Sequence, residues 1–185
     1  MKLSVATVHG RFQPPHRDHL EYMLAASIFT KHLIIGITQP DSDDLTDCPE
    51  DPHRAEPSAN PLTYSERCEA IAQMLLAAGL LSQQFSFVRF PIEVPDDLHR
   101  ALSTDVVCFT TIRDEWNLVK VDRLRALGYD VRVLWDRRNE PGIRGTEIRR
   151  KMKNGDDSWV LEVPDAVATF LRDSSILGRL QTHKK

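Results

Sequence analysis

From Lys2 to Trp135 the chain alternates between two patterns, and that alternation leaves few folds open. Lys2 to His9 and His32 to Thr38 are short runs rich in Val, Ile and Leu. Between them, His19 to Thr30 carries Leu20, Met23, Leu24 and Ile28 at helical spacing, so the three segments predict a β-α-β unit. Thr63 followed by Glu66 has the form of a capping box, and the helix it opens is expected to run to about Ala78, with Gly79 just past its end. Phe85 to Phe90 reads as a strand, Pro91 to Asp97 as a turn-rich segment, and Val106 to Thr110 as a strand. Glu115 to Leu127 reads as a helix stopped by Gly128, and Asp130 to Trp135 as a further strand. Strands joined through helices form a mostly parallel sheet covered on both faces, whose ligands bind beyond the carboxyl ends of the strands. Thr146 to Lys153 and Pro164 to Arg172 are expected to be helical, and Thr182 to Lys185 a frayed, solvated tail.

Bulk properties narrow the class of ligand. A chain of 185 residues fits one domain (1–185) with a substantial core. With 28% charged residues and a net charge of −3 it lacks the basic excess of a dedicated nucleic-acid binder, so an anionic ligand requires a local basic site. Cys48, Cys68 and Cys108 form no C-x-x-C pair, which points to reduced thiols rather than a disulfide framework or a zinc site. The apolar run from Leu3 to Val8 is too short for a signal segment, and no stretch approaches the roughly 20 apolar residues of a membrane span. A cytoplasmic protein with no membrane partner is expected. Gln39 to Pro61, with Pro40, Pro49, Pro52, Pro57 and Pro61, reads as a long loop, a feature often tied to function.

Two segments carry the chemistry. His9-Gly10-Arg11-Phe12-Gln13-Pro14-Pro15-His16-Arg17-Asp18-His19 joins the first strand to the first helix. Gly10 lets the backbone approach a ligand, Arg11 supplies a cationic fork, and His19 lies near the free N–H groups of a helix start. His16 and His19, three apart, can both face one phosphate and donate to the charge that develops on it. A His-x-x-His pair also suits a metal, but no third ligand lies at a recognisable spacing. Plain helix capping is the other ordinary use of such residues. The second segment, Gly142-Ile143-Arg144-Gly145-Thr146-Glu147-Ile148-Arg149-Arg150, runs from a glycine-bearing loop into a helix with Thr146 read as its N-cap. Arg149 there can reach back to a phosphate near the helix start, and Thr146 can donate its hydroxyl. A solvated basic helix start is the alternative for this segment alone.

Together the two segments resemble the signatures of the His-x-Gly-His nucleotidyltransferase superfamily, most closely the archaeal-type nicotinamide mononucleotide adenylyltransferases. In that family Gly-Arg-Phe-Gln-Pro leads into His-x-Gly-His, and a late Ile-Ser-Gly-Thr-Glu-Ile-Arg segment completes the site. Asn60-Pro61-Leu62-Thr63-Tyr64-Ser65-Glu66-Arg67 is similar to the family's Asn-Pro-Phe-Thr-x-x-Glu-Arg helix start, and Val163-Pro164-Asp165-Ala166-Val167 to its C-terminal helix. The resemblance implies a Rossmann-like, doubly wound α/β domain with C-terminal helices. The implied activity is transfer of a nucleoside monophosphate from ATP or another NTP to a small phosphorylated acceptor, by in-line attack without a covalent intermediate. It further implies that His16, His19, Arg11 and Arg149 act on the transferring and leaving phosphates. Gly10, Phe12, Asp18, Thr146 and Ile148 would line the nucleotide. The chemistry brings Mg²⁺ with the NTP, held by phosphate oxygens and water rather than a protein metal site. A homo-oligomer is the family's habit.

Three departures bear on specificity. Asp18 replaces the glycine of His-x-Gly-His, and its charge opposes a triphosphate unless Arg17 or another cation compensates. Arg144 stands where serine is usual. The family's Asn-x-x-Trp and Ser-Gly-Asn acceptor segments are replaced by Ile92-Glu93-Val94-Pro95-Asp96-Asp97-Leu98 and Phe109-Thr110-Thr111-Ile112-Arg113-Asp114-Glu115-Trp116. From the resemblance nicotinamide mononucleotide with ATP is the first expectation, and these altered segments keep open another small phosphate or phosphonate with CTP or ATP as the alternative. A binding module without turnover is the remaining class. Trp116 is the candidate for stacking on the acceptor, and Arg54 in the long loop the candidate for closing over the triphosphate. Core packing for Trp116, a solvated loop cation for Arg54 and a structural role for Arg67 stand as their alternatives.

Overall fold

The computed structural model describes residues 2–41, 45–173 and 175–182. Five strands, β1 (Leu3–Gly10), β2 (Thr30–Ile37), β3 (Phe85–Arg89), β4 (Val107–Ile112) and β5 (Val131–Asp136), form one parallel sheet in the order β3-β2-β1-β4-β5. Helices α1 (Arg17–Ser27), α2 (Tyr64–Ala77), α3 (Pro95–Ala101) and α4 (Glu115–Ala126) lie between the strands. Helices α5 (Gly145–Asn154), α6 (Asp165–Asp173) and α7 (Ile176–Thr182) follow the last strand. This is the Rossmann-like arrangement that the resemblance implies. None of the described helices is long and apolar enough to cross a membrane.

Burial of β1 accounts for its sequence. Ala6, Thr7, Val8 and His9 are buried one after another, as expected for a central strand covered on both faces. One core joins β1 and β2 to α1, α2, α5 and α6 through Val8, Ile35, Met23, Met74, Ile148 and Leu171. A second core, around Phe90, Leu98, Trp116, Leu124 and Val131, lies under α3 and α4. The capping box of α2 forms as expected: the Glu66 N–H donates to Thr63 Oγ1 at 3.2 Å and the Thr63 N–H to Glu66 Oε2 at 2.8 Å. Gly79 and Gly128 follow their helices at φ +92° and +87°, the left-handed geometry of a C-terminal glycine.

The structure differs from the sequence reading at several points. Part of the turn-rich segment is the start of α3. Pro95 occupies its first helical position and Asp96 and Asp97 its first turn, so the proline opens a helix instead of excluding one. Helix α7 was not anticipated, and it takes in Thr182 from the expected tail, of which 183–185 lie outside the described residues. The long loop contains short 3-10 turns at Pro52–Ala55 and Pro57–Ala59. The N-cap of α5 is Arg144, not Thr146. A side chain at Gly145 would meet the Gln13 carbonyl oxygen at 2.8 Å, and the helix starts at this close passage, two residues early, which leaves Thr146 inside its first turn.

Strand order reverses between β1 and β4, and this places the site. β1 and β4 are paired only at Ala6↔Val107 and Thr7↔Cys108, after which they separate. The Tyr22 hydroxyl fills the gap, donating to the Phe109 carbonyl at 2.5 Å and accepting from the His9 N–H at 3.3 Å. Beyond it the carboxyl ends of both strands face an open crevice, the usual ligand position in such sheets.

Candidate active site

The crevice is a cleft of about 480 Å³ into which both signature segments face. The loop after β1 is held from below by Arg67 of α2, which is fully buried. Its guanidinium donates to the carbonyls of Arg11, Thr38, Gln39, Pro40 and Thr63 at 2.7–3.2 Å, joining the ends of β1 and β2 to the start of α2. This bears out a structural role for Arg67. Gln13 pairs like a backbone unit with Leu62, donating at 2.8 Å and accepting at 2.9 Å. Phe12 sits at φ +53° with its ring buried edge-on to His19, 4.9 Å between centroids. A non-glycine residue in that region is strained, and here packing holds it beside the cleft.

His16 caps α1 and its N–H donates to Nδ1 of His19 at 3.3 Å. His19 therefore carries its proton on Nε2, the outer nitrogen. The two rings stack 3.5 Å apart. Burial, followed by Arg113, Lys120 and Arg11, pushes the His19 pKa down to about 3, and burial with His19 and Arg113 holds His16 well below the usual histidine range. Both are neutral donors at pH 7 in the free protein. Arg11 is drawn down to about 9 by burial and by Arg54 and Arg149, still a cation at neutral pH. Its Nη1 and the Nδ1 of His16 are buried without a hydrogen-bond partner among the described residues. Arg149 donates to the Gln13 carbonyl at 2.6 Å and to Thr146 Oγ1 at 3.2 Å, so the late segment is fastened directly onto the early one. Unspent donors, two fixed cations and glycine-lined backbone give this centre the chemistry that an anion would require.

These neutral histidines predict an acid-sensitive fold. His9, His16 and His19 resist protonation when folded, whereas in the unfolded chain they take up protons below about pH 6.5. The unfolded state then binds more protons, so stability is full above pH 6.5 and falls as the pH drops toward 3, each histidine contributing up to about 1.4 kcal/mol per pH unit. Urea midpoints at pH 7.5 and 5.5 should differ accordingly, and a bound polyphosphate should reduce the difference. Equal midpoints would mean that these rings take up protons in the fold as readily as in the unfolded chain.

Asp18 has a different place from the one its charge suggests. Its Oδ2 accepts from Arg113 Nη2 and from the Ile143 N–H, both at 3.0 Å. The compensating cation is thus Arg113, at the end of β4. Arg17 instead turns away to the Leu161 carbonyl at 3.0 Å and to Asp165. A side chain at Gly142 would meet Arg113 at 2.9 Å and Asp18 at 3.1 Å, so the glycine lets the loop close over this pair. Arg144 is exposed at the rim of the cleft.

Three assigned residues are corrected. Ile148 is fully buried in the first core, because it shares the inward face of α5 with Met152; it does not line the cleft. Trp116 packs in the second core with only 7% of its surface exposed. The guanidiniums of Arg54 and Arg123 lie over its ring at 4.7 and 5.4 Å, so it supports Arg54, and only its small remaining surface lines the cleft. Arg54 is not a cation on an open lid: it is buried, donates to Thr38 Oγ1 at 3.2 Å beside the end of β2, and lines the cleft from there. Tyr22, Arg113 and Lys120 were missed. Each is an ordinary residue of a helix or strand end in the sequence, and only the unmatched charge of Asp18 hinted at Arg113.

No family model matches the chain. Over 94% of both sequences it is 37% identical to a phosphonoformate cytidylyltransferase from Streptomyces viridochromogenes. It is 29% identical to a nicotinamide-nucleotide adenylyltransferase from Thermococcus kodakarensis over 93% of this chain and 84% of that one. Among solved structures, a bifunctional NMN adenylyltransferase/ADP ribose pyrophosphatase from Francisella tularensis shares the fold with a TM-score of 0.66 at 16% identity. That match covers 97% of this chain and 52% of the other, so the chain spans about half the length of that structure. An anion site at the switch point of a parallel sheet and sequence relatives that are nucleotidyltransferases along nearly their whole length lead to one assignment: the chain belongs to the nucleotidyltransferase family.

Proposed function

We propose that the protein transfers a cytidylyl group from CTP to a small phosphonate or phosphate acceptor and releases pyrophosphate. The observation that carries nucleotidyl transfer is the fastening of the two signature segments, Arg149 on the Gln13 carbonyl at 2.6 Å, around His16, His19 and Arg11. CTP and a phosphonate are supported by the relative that is 37% identical. Asp18 stands where the family has glycine and its side chain, held by Arg113 and the Ile143 N–H, lines the cleft, which supports the smaller pyrimidine there.

In this reading an acceptor oxygen attacks the α-phosphorus, a new P–O bond forms, and the bond to the bridging oxygen breaks as pyrophosphate leaves. The protein positions the groups and stabilises charge. His19 Nε2–H and His16 donate to the α-phosphate. Arg11, Arg149 and Thr146 hold the β- and γ-phosphates, the backbone at Gly10 and Phe12 lets the phosphates come close, and the Asp18–Arg113 pair borders the base. Groups facing the centre are neutral donors and cations, which suit phosphates rather than a metal, so Mg²⁺ is proposed to ride on phosphate oxygens and water.

A second reading, ATP with nicotinamide mononucleotide, is favoured by the archaeal relative. Pyrophosphate release separates the two when CTP and ATP are each supplied with Mg²⁺ and with phosphonoformate or nicotinamide mononucleotide. Release from CTP that requires phosphonoformate is the expected result. Release only from ATP with the mononucleotide would replace this reading with the second, and none under any condition would leave a binding module.

A further inference from the structure

The same cleft is lined by polar groups to which the proposed transfer gives no role. His9, at the end of β1, is 2% exposed and stacks on Phe90, with centroids 4.6 Å apart and planes within 2°. Neither of its ring nitrogens has a hydrogen-bond partner among the described residues. Lys120 projects from α4 one turn beyond Trp116 and is 8% exposed. Its ammonium faces the cleft with no hydrogen bond or salt bridge among the described residues. Arg54 completes the group, its Nε likewise buried without a partner. Burial, reinforced by Arg54 and opposed by Asp114 and Cys108, draws the Lys120 pKa down to about 8.

Buried donors without partners carry the full cost of desolvation, and such groups call for a ligand or another explanation. The counter-charge in the protein is incomplete. Glu93 is buried nearby, yet its Oε1 is 4.0 Å from Arg54, beyond a hydrogen bond, and that oxygen has no hydrogen-bond partner among the described residues. Asp51 and Asp114 also line the cleft, but among the described residues neither side chain hydrogen-bonds to Arg54 or Lys120, so two cations stand without a close carboxylate beside Gly10 and Arg11, where the acceptor must reach the α-phosphate.

We propose that His9, Arg54 and Lys120 form a second anion subsite, which holds a carboxylate carried by the acceptor next to its attacking phosphonate. The assignment rests on the transfer reading above and names its substrate class: a phosphonocarboxylate. Lys120 and His9 donate to the carboxylate, and Arg54, braced by Thr38 and Trp116, supplies the second positive charge. The positively charged pyridinium ring of nicotinamide mononucleotide would face two cations here, so the same subsite selects against it.

The test is titration calorimetry with phosphonoformate and with methylphosphonate, which lacks the carboxylate. Both are titrated with and without the α,β-methylene analogue of CTP, into the wild type, Lys120→Met and His9→Phe. The wild type should bind phosphonoformate at least about tenfold more tightly than methylphosphonate. Each variant should lose most of that preference while its affinity for methylphosphonate and for the nucleotide analogue changes little. Both substitutions remove a buried polar group and keep apolar volume, and His9→Phe keeps the stack on Phe90, so a folded variant is available for the comparison. Equal binding of the two probes by the wild type, no binding of either, or an unchanged preference in the variants would overturn the subsite. Selective binding without pyrophosphate release from CTP would instead overturn the transfer reading and leave the subsite standing.

Discussion

Replacing His19 by alanine is expected to lower turnover by about 10²-fold or more, with a much smaller change in nucleotide affinity. The ring accepts the His16 N–H on Nδ1 and thereby presents Nε2–H toward the cleft. Being neutral and fixed, it gains most from the charge that develops on the transferring phosphoryl group, and little from the ground state. The same substitution orphans the His16 N–H at the start of α1 and removes a stacking partner at 3.5 Å. A loss of about 1 kcal/mol in stability should accompany the kinetic effect. His16→Ala should behave similarly. Steady-state kinetics with a thermal melt on each variant separates the two contributions: reduced kcat in a folded protein is the expected outcome. Unchanged kcat in both variants would remove the histidines from the chemistry and with them the proposed mechanism.

The largest loss of stability is expected at Arg67. Its guanidinium is fully enclosed and has no salt-bridge partner among the described residues; five backbone carbonyls take its donors. Arg67→Met fills the space but strands several buried carbonyls, each costly to leave unpaired. Removing the buried charge returns part of that cost, and we expect a net loss of about 3–5 kcal/mol, comparable to breaking a buried ion pair. Urea unfolding at pH 7.5 measures it directly, and a change below about 1 kcal/mol would show that water replaces the guanidinium. The Arg11 carbonyl is one of the five, so nucleotide affinity should weaken in the same variant.

Much of the fold was legible because its signals are local. The strand runs, the Thr63–Glu66 cap, the glycines at the ends of α2 and α4, and the position of the first motif between β1 and α1 are all set by neighbours within a few residues. Errors arose where one local signal has two meanings. Pro95 punctuates a turn and also fits the first position of a helix, and Thr146 is a good cap that the passage of Gly145 against Gln13 displaces. The anion site was legible in outline, since His16, His19, Arg11 and Arg149 do meet at one cleft.

The chain's own order of residues was enough to determine a parallel α/β sheet and to single out two motifs whose polar residues line one cleft, because backbone periodicity and motif chemistry are carried by adjacent positions. The tertiary structure alone decided which charges meet. Arg113 reaches Asp18 across 95 positions, the Ile143 N–H reaches it across 125, and Arg149 reaches the Gln13 carbonyl across 136. It also decided that Ile148 and Trp116 belong to the cores and that His9, Arg54 and Lys120 share one pocket. Pairings of this kind depend on strand order and on the separation of β1 from β4. Both are fixed by long-range packing, and no spacing along the chain encodes them.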